Sequence, residues 1–126
     1  GEKGNVCLPL TRILGEGRRF DRVIAIGPLV MMKFVTEATR PTGIPCEVSM
    51  NPIMIDGTGM CGGCRLTLSV DGKRVTKFAC VDGPDFDGHK IDWDSAMKRG
   101  RMYAEFEKRS CDEGHCRIGR THKYED

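Results

Sequence analysis

The sequence predicts a mixed α/β fold, in which part of a parallel sheet is followed by a small β-hairpin region and a C-terminal helix. Three patterns indicate this order. A strand, a helix and a second strand follow one another near the N-terminus, which is typical of a βαβ unit. Residues 64–80 then alternate apolar and polar side chains around an Asp-Gly pair, as hairpins do. A helical segment, residues 95–110, comes last.

The N-terminal elements predict half of an α/β domain. A short amphipathic helix over residues 8–14 precedes an apolar strand, residues 22–27, which is expected to be buried on both faces of a parallel sheet. Residues 28–40 predict a helix with Pro28 in its first position, and residues 44–51 predict the second strand. Because a doubly wound sheet needs more than two strands, we expect this region to be the second half of such a domain.

Turns and caps follow the hairpin. Residues 81–94 are acidic and turn-rich and are expected to form a loop. Asp92 or Asp94 is expected to cap the final helix, and the polar tail from Cys111 onwards is expected to be poorly ordered. The acidic loop lacks the central glycine and the closing glutamate of an EF-hand, so we interpret its aspartates as turn and cap residues.

The composition limits the classes of function. The formal net charge is +2 in 126 residues, so no electrostatic argument favours nucleic acid or an anionic membrane as a partner. The longest apolar run, residues 23–32, is too short to span a bilayer and contains Gly27 and Pro28. With no signal-peptide pattern at the N-terminus, the sequence predicts a soluble, cytoplasmic protein.

The cysteines indicate a metal site. There are seven, an odd number that cannot all pair within one chain, and without a secretory signal metal binding is favoured over a disulfide framework. Plant-type [2Fe–2S] loops have the spacing C-x4-C-x2-C with a distant fourth cysteine. The sequence fits that spacing if aspartate takes the first place, as D-x4-C-x2-C-x15-C. The residues in this pattern are Asp56, Cys61, Cys64 and Cys80.

Other chemistry is compatible with the same residues. Three cysteines and one aspartate could hold a structural zinc ion, although the usual zinc ribbon has a second CxxC pair. A redox-active CxxC pair is expected to follow a strand and open a helix, whereas Cys64 opens an alternating strand. Inert or disulfide-forming thiols in a flexible loop are the remaining alternative.

Several blocks of the sequence resemble a known family. The blocks "VIAIGPLVMMKFVTEATRPTGIPCEVSMNPIMIDGTGMCGGCRLTL" and "KFACVDGPDFDGHKIDW" are similar to the C-terminal part of ferredoxin–NADP⁺ reductase-like electron-transfer subunits. That family includes the electron-transfer subunit of dihydroorotate dehydrogenase, the gamma subunit of sulfhydrogenase and the small (alpha) subunit of NADH-dependent reduced ferredoxin:NADP⁺ oxidoreductase. The form "DGTGMCG-x-C", with Asp56 where the first two members have cysteine, most resembles the third.

The resemblance implies roles for particular residues. In the family, an FAD-binding β-barrel precedes an NAD(P)-binding α/β domain and a cluster domain, and this chain resembles only the second half of the nucleotide domain together with the cluster domain. Gly27 and Pro28 match the turn where the nicotinamide approaches, and Asn51 lies in the segment that passes the flavin. The implied ligands of a [2Fe–2S] cluster are Asp56, Cys61, Cys64 and Cys80.

The resemblance also implies a function and a domain organisation. Electrons would pass between NAD(P)H, FAD and a partner subunit through the cluster, and the partner would be a larger iron–sulfur or flavin oxidoreductase or a hydrogenase subunit. No residue is assigned as catalytic, and the chain alone is expected to be inactive because it lacks an FAD domain. A homodimer through an exposed sheet edge is also considered. The expected regions are the nucleotide-domain half 1–51, the cluster domain 52–93 and the helix and tail 94–126.

The remaining candidates are interpreted as structural or solvated. Cys7 and Cys46 are expected to be small buried hydrophobic residues. The tail group of Cys111, His115 and Cys116 is expected to be free thiols or an adventitious metal site. Two histidines are expected to be solvated, His89 and His122. Five methionines are expected to fill the core, Met31, Met32, Met50, Met54 and Met60.

Overall fold

Two small β-sheets with helices packed against them form the computed structural model, which describes residues 3–113. Short 3₁₀ turns lie at Arg40–Thr42 and Gly88–Lys90. The tail residues His115, Cys116 and His122 lie outside the described residues. The helices and strands, in chain order, are α1 Cys7–Gly15, β1 Val23–Ile26, α2 Leu29–Thr39, β2 Cys46–Ser49, β3 Arg65–Val70, β4 Lys73–Phe78, α3 Ala79–Asp82, β5 Asp85–Asp87, α4 Trp93–Gly100 and α5 Ala104–Asp112.

The first sheet contains the predicted βαβ unit. β1 and β2 are parallel neighbours, with Val23 opposite Cys46 and Ile26 opposite Ser49, and α2 crosses between them. The apolar side of α2 faces the sheet, since Met32 and Val35 are buried together with Ala25 of β1. The mixed α/β class and the βαβ order are therefore confirmed.

The prediction that the first strand is buried on both faces is wrong. Ala25 is buried, but its neighbours Ile24 and Ile26 are 65% and 71% exposed. Side chains alternate between the two faces of a strand, and α2 packs on the face that carries Ala25. Among residues 3–113 the opposite face of β1 is thus left open to solvent.

The sequence predicted that the acidic segment after the hairpin is a loop, and this prediction is wrong in part. α3 and β5 both lie in it, and β5 pairs antiparallel with β2 to give the sheet order β1-β2-β5. Phe86, at the centre of β5, is buried opposite Val48. A three-residue strand with a single apolar residue between two aspartates has too short an alternation to be recognised, so the prediction missed it.

The second sheet is the predicted hairpin. β3 and β4 are antiparallel, with Arg65 opposite Phe78 and Val70 opposite Lys73. Asp71 and Gly72 form the turn with φ angles of 50° and 75°. Two successive positive φ angles define a type I′ turn, which is the geometry that Asp-Gly favours.

Two helix boundaries differ from the predictions and a third agrees. The single C-terminal helix is two helices, α4 and α5, because Gly100, a weak helix former, ends α4. Pro28 precedes α2 as its N-cap, with an extended ψ of 140°, instead of occupying the first helical position. Asp92 caps α4 as predicted, since its Oδ1 accepts a hydrogen bond from the Ser95 N–H at 3.0 Å.

One contiguous core joins the two sheets. Met32 and Val48 of the first sheet region belong to the same buried cluster as Leu66 of the hairpin and Trp93 of α4. The indole Nε1–H of Trp93 donates to the carbonyl oxygen of Gly88 at 3.0 Å, which fixes α4 beside the first sheet.

Several smaller predictions are settled by burial. Cys46 is buried, as expected, whereas Cys7 is only half-buried. Met54 and Met60 are 47% and 87% exposed, so they are not core residues. His89 is half-buried, and its Nε2 lies 3.1 Å from Thr39 Oγ1, so the solvated interpretation is wrong. Within residues 3–113, no helix combines the length and the apolar character needed to cross a membrane.

Candidate metal centre

Asp56 organises the loop between β2 and β3. Its Oδ1 accepts a hydrogen bond from the Thr58 N–H at 2.8 Å, and its Oδ2 accepts one from the Cys61 N–H at 3.0 Å. The bond from Thr58 is the main reason that the pKa of the Asp56 carboxyl lies below its ordinary value. Both oxygens of the exposed carboxylate therefore hold the backbone that leads to Cys61.

Cys64 and Cys80 are brought together by the hairpin. Cys64 immediately precedes β3 and Cys80 lies in α3, directly after β4, so the two thiols meet at the open end of the hairpin. Their Sγ atoms are 3.2 Å apart. The Ala79 N–H also donates to the Cys64 carbonyl oxygen at 3.1 Å, which extends the hairpin pairing to the two cysteines.

The two thiols differ in acidity. The Cys80 N–H donates to Cys64 Sγ at 3.5 Å, and this bond lowers the pKa of the Cys64 thiol because it stabilises the thiolate. The hydrogen bond with Cys64 in turn raises the pKa of the Cys80 thiol. The local backbone therefore favours a thiolate at Cys64.

Cys61 stands apart from this pair. Its side chain is exposed, and its Sγ accepts a hydrogen bond from the Gly63 N–H at 3.4 Å. The predicted ligands thus form two neighbouring groups, Asp56 with Cys61 and Cys64 with Cys80. Within residues 3–113, no three histidine, cysteine, aspartate or glutamate side chains are gathered as closely as a bound metal ion would require.

The donor set nevertheless suits an iron–sulfur cluster. Three thiols and a carboxylate can supply four anionic donors, and two adjacent thiols are already in place at Cys64 and Cys80. Backbone N–H groups point at Cys61 Sγ and at Cys64 Sγ, as expected where a protein tunes the potential of a cluster. A zinc ion could use the same donors, so this geometry alone does not choose between the two.

Glycine at position 59 is needed for the loop to close over α3. Gly59 has a φ of 83°, in the left-handed region that residues other than glycine rarely adopt. A Cβ atom added there would lie 3.1 Å from the Cγ2 atom of Val81, the residue next to Cys80. The loop backbone therefore passes within van der Waals distance of the helix that carries the last cysteine.

Asp82 holds the start of α3, the short helix that carries Cys80. Its Oδ2 accepts a hydrogen bond from the Phe78 N–H at 2.8 Å, and its Oδ1 accepts one from Lys77 Nζ at 3.1 Å. The bond from Phe78 is the main cause of the lowered pKa of this carboxyl. This contact agrees with the interpretation of the acidic-segment aspartates as turn and cap residues, although the helix that Asp82 supports was not predicted.

A second supporting contact comes from α4. Arg99 is half-buried, and its Nη2–H donates to the carbonyl oxygen of Gly63 at 3.1 Å. Arg99 also lines a cavity of about 350 Å³. The cavity lies between the segment after β2, the cluster loop (residues 56–64) and α4–α5. Since 36 residues separate Arg99 from Gly63, no local pattern in the sequence predicts the contact.

The residues predicted near the nucleotide and the flavin lie at one edge of the first sheet. Gly27 and Pro28 follow the carboxyl end of β1, and Asn51 follows the carboxyl end of the parallel strand β2. Asn51 is exposed and lines the cavity beside Arg99. The carboxyl ends of parallel strands are where open α/β sheets bind ligands.

Comparison with known proteins identifies the region around this site. Residues 51–92 match the family described as the iron-sulfur cluster binding domain of dihydroorotate dehydrogenase B, and this range contains all four predicted ligands. A relative from Thermotoga maritima, described as a homolog of the electron transfer subunit of dihydroorotate dehydrogenase B, is 51% identical over 108 residues. The chain is a homologue of these electron transfer subunits.

Two further proteins are similar to most of the chain. An uncharacterized protein of Clostridium beijerinckii is 56% identical over 70% of the chain. A solved structure of the NADH-dependent reduced ferredoxin-NADP oxidoreductase, from work on flavin-based electron bifurcation, covers 90% of the chain with a TM-score of 0.76 and 50% identity. The resemblance drawn from the sequence is therefore confirmed, and the fold is similar to that of a ferredoxin–NADP⁺ reductase-like protein.

The chain spans only part of each of these similar proteins. The chain spans 28% of the Clostridium beijerinckii protein, 36% of the Thermotoga maritima protein and 39% of the solved chain. The likeness therefore concerns the cluster-binding region and the α/β elements before it.

Proposed function

We propose that this chain is the cluster-carrying part of an electron-transfer subunit, in which a [2Fe–2S] cluster relays electrons within a flavin-dependent oxidoreductase. The observation that carries the proposal is the pair of Cys64 and Cys80 sulfurs, 3.2 Å apart, inside the matched iron–sulfur domain. The hairpin register brings the two thiols together, and this closeness is what two ligands of one iron require.

The four donors would divide two and two. Cys64 and Cys80 would bind one iron, and Asp56 and Cys61, which are already linked through the Cys61 N–H, would bind the other. When bound, the cluster would accept and release one electron at a time. A carboxylate is a harder donor than a thiolate, so Asp56 would set the electronic character of its iron.

The residues at the sheet edge would serve the neighbouring cofactors. Gly27 and Pro28 would receive the nicotinamide of NAD(P)H at the end of β1, and Asn51 would lie beside the flavin of FAD. Electrons would continue to a larger iron–sulfur or flavin oxidoreductase or hydrogenase subunit. Because the matched region covers about a third of the relatives, these cofactor and partner roles concern the whole protein, and this part alone would not turn over.

Anaerobic reconstitution with iron and sulfide tests the proposal. We expect brown protein with two irons and two sulfides per chain, as the [2Fe–2S] formula requires, and a rhombic electron paramagnetic resonance signal after reduction. Cys64→Ser and Cys80→Ser should each lower iron retention strongly. Cys111→Ser is the matched control, since this cysteine lies outside the proposed ligand set, and it should leave the spectrum unchanged.

Two results would contradict the proposal. Colourless protein that binds one zinc ion per chain would assign the same donors to a structural metal site. Full iron retention in both Cys64→Ser and Cys80→Ser would show that the paired sulfurs are not ligands.

A further inference from the structure

Hydrogen bonds to three successive carbonyl oxygens, those of residues 62–64, hold the turn between Cys61 and Cys64. The Gly62 carbonyl accepts from the Arg65 N–H at 3.3 Å, and the Cys64 carbonyl accepts from the Ala79 N–H at 3.1 Å. The carbonyl between them, that of Gly63, accepts from Arg99 at 3.1 Å. The middle position is therefore the one at which a side chain, and not the backbone, holds the turn.

Arg99 reaches the turn from a firmly anchored helix. At the start of α4, Asp92 caps the helix, and its N–H donates to the Thr67 carbonyl of β3 at 2.9 Å. Asp92 also pairs with Arg74 of β4 at 2.6 Å, and Trp93 is buried. α4 is thus fixed to the same hairpin whose open end carries Cys64 and Cys80.

We propose that Arg99 is a positioning residue for the cluster loop, which fixes the Gly63 peptide and places a positive charge beside the proposed iron–sulfur site. This inference rests on the proposed function. Arg99 does not provide a ligand; it acts through the peptide that joins the two central cysteines. Its guanidinium cannot lose its proton in a protein, so the charge is permanent.

Two physical effects result from this placement. A hydrogen bond from a charged donor is stronger than one from a neutral donor, so the Gly63 peptide is held even when its loop is exposed. A nearby cation also stabilises the more negative, reduced form of a cluster and so raises its reduction potential. The first effect belongs to the loop alone, and the second appears only when the cluster is bound.

Three variants in the full-length protein separate these effects. Arg99→Gln can still donate to Gly63 but is neutral, Arg99→Lys keeps the charge without the planar fork, and Arg99→Met removes both. We expect cluster loss about tenfold faster in Arg99→Met, the lower end of the effects seen when support around a metal site is removed. The rate should be partly restored in Arg99→Gln and Arg99→Lys.

The midpoint potential distinguishes positioning with charge from a merely structural role. We expect Arg99→Gln to have a lower potential than the wild-type protein and Arg99→Lys to remain close to it. Arg65→Gln is the matched control, since Arg65 lines the same cavity and is exposed. Equal shifts in Arg65→Gln and Arg99→Gln would show a general charge effect and would overturn the specific role of Arg99.

Hydrogen exchange of the metal-free protein tests the positioning independently of any cluster. We expect the Gly63 and Cys64 amides to exchange faster in Arg99→Met than in the wild-type or the Arg65→Gln protein. Unchanged exchange, cluster loss and potential in Arg99→Met would overturn the inference. A wild-type protein that binds no iron would instead overturn the proposed function, and the exchange result would still decide whether Arg99 holds the turn.

Discussion

At the scale of single residues, the carboxylate of Asp56 has two potential roles. It accepts hydrogen bonds from Thr58 and Cys61 in its own turn, as an aspartate before a glycine commonly does. It also stands where the first ligand of a plant-type cluster loop is expected. A turn residue and a ligand respond differently to substitution, so the two roles can be separated.

We expect Asp56→Cys to retain the cluster with an altered potential, because a thiolate can replace the carboxylate as a ligand. Asp56→Ala should lose iron at least about tenfold faster, since both the ligand and the turn contacts disappear. Iron analysis against time after gel filtration measures this. Asp56→Asn is the matched control: it keeps a turn acceptor but is a poor ligand, so wild-type retention in Asp56→Asn would reduce Asp56 to a turn residue.

Two loop glycines form a second matched pair at this scale. Gly57 and Gly59 both have positive φ, but a Cβ atom would meet nothing within 4 Å at Gly57 and would press on Val81 at Gly59. We expect Gly57→Ala to cost about 1 kcal/mol of unfolding free energy from backbone strain. Gly59→Ala should cost more and should also weaken iron binding, because Val81 adjoins Cys80.

Urea denaturation and iron analysis of both glycine variants check this prediction. The double variant Gly59→Ala with Val81→Ala removes the crowding but keeps the strain, so it should recover part of the iron binding. Indistinguishable behaviour of Gly57→Ala and Gly59→Ala would mean that the contact with α3 has no influence on the site.

At the scale of elements, Gly88 lies where α2 packs closely against β2 of the first sheet. A Cβ atom at Gly88 would lie 2.6 Å from Thr36 Oγ1 of α2 and 3.1 Å from Val48 Cγ1 of β2. Gly88 is buried, and its carbonyl also accepts the hydrogen bond from Trp93. The close packing of α2, β2 and α4 therefore requires a residue without a side chain at position 88.

We expect Gly88→Ala to lower the free energy of unfolding by about 1–3 kcal/mol, the usual cost of overpacking a core. Gly15→Ala, at the end of α1, adds the same methyl group where nothing lies within 4 Å, so it should be neutral or slightly stabilising. Thermal or urea unfolding compares the two. A cost at Gly88 no larger than at Gly15 would show that the sheet and α2 move apart easily.

The elements that were predicted correctly are those whose own residues carry a recognisable pattern. The hairpin is predicted by alternation around Asp71 and Gly72, and the meeting of Cys64 with Cys80 results from its register. β5 was missed because it exists only through its pairing with β2, which no three-residue pattern reveals. The contact of Arg99 with Gly63 was missed for the same reason, since it depends on how α4 packs against the hairpin.

At the scale of the whole molecule, a single core links the regions that the sequence divides at residues 51/52 and 93/94. Val48 belongs to the first region, Leu66 to the second and Ala96 to the third, and all three lie in one buried cluster. This division into three regions remains a prediction. The shared core nevertheless makes it unfavourable for one region to unfold while the others stay folded.

We therefore expect the part described by residues 3–113 to unfold in one cooperative transition. Trp93 is the only tryptophan of the chain and is buried at the start of α4, so its fluorescence reports packing where the second region meets the third. Far-ultraviolet circular dichroism reports the helices and sheets together. Coincident urea midpoints would support a single unit, and separate midpoints would support independent regions.

The length of the hairpin also fixes the distance between its turn and the proposed cluster site. Six residue pairs separate its turn at Asp71 and Gly72 from the end that carries Cys64 and Cys80, which is roughly 20 Å along a strand. A nitroxide spin label placed at the turn would lie outside the ligand shell. It would still be close enough for a reduced, paramagnetic cluster to enhance its relaxation. Its relaxation rate would then measure cluster occupancy in the purified protein without removing the metal for analysis.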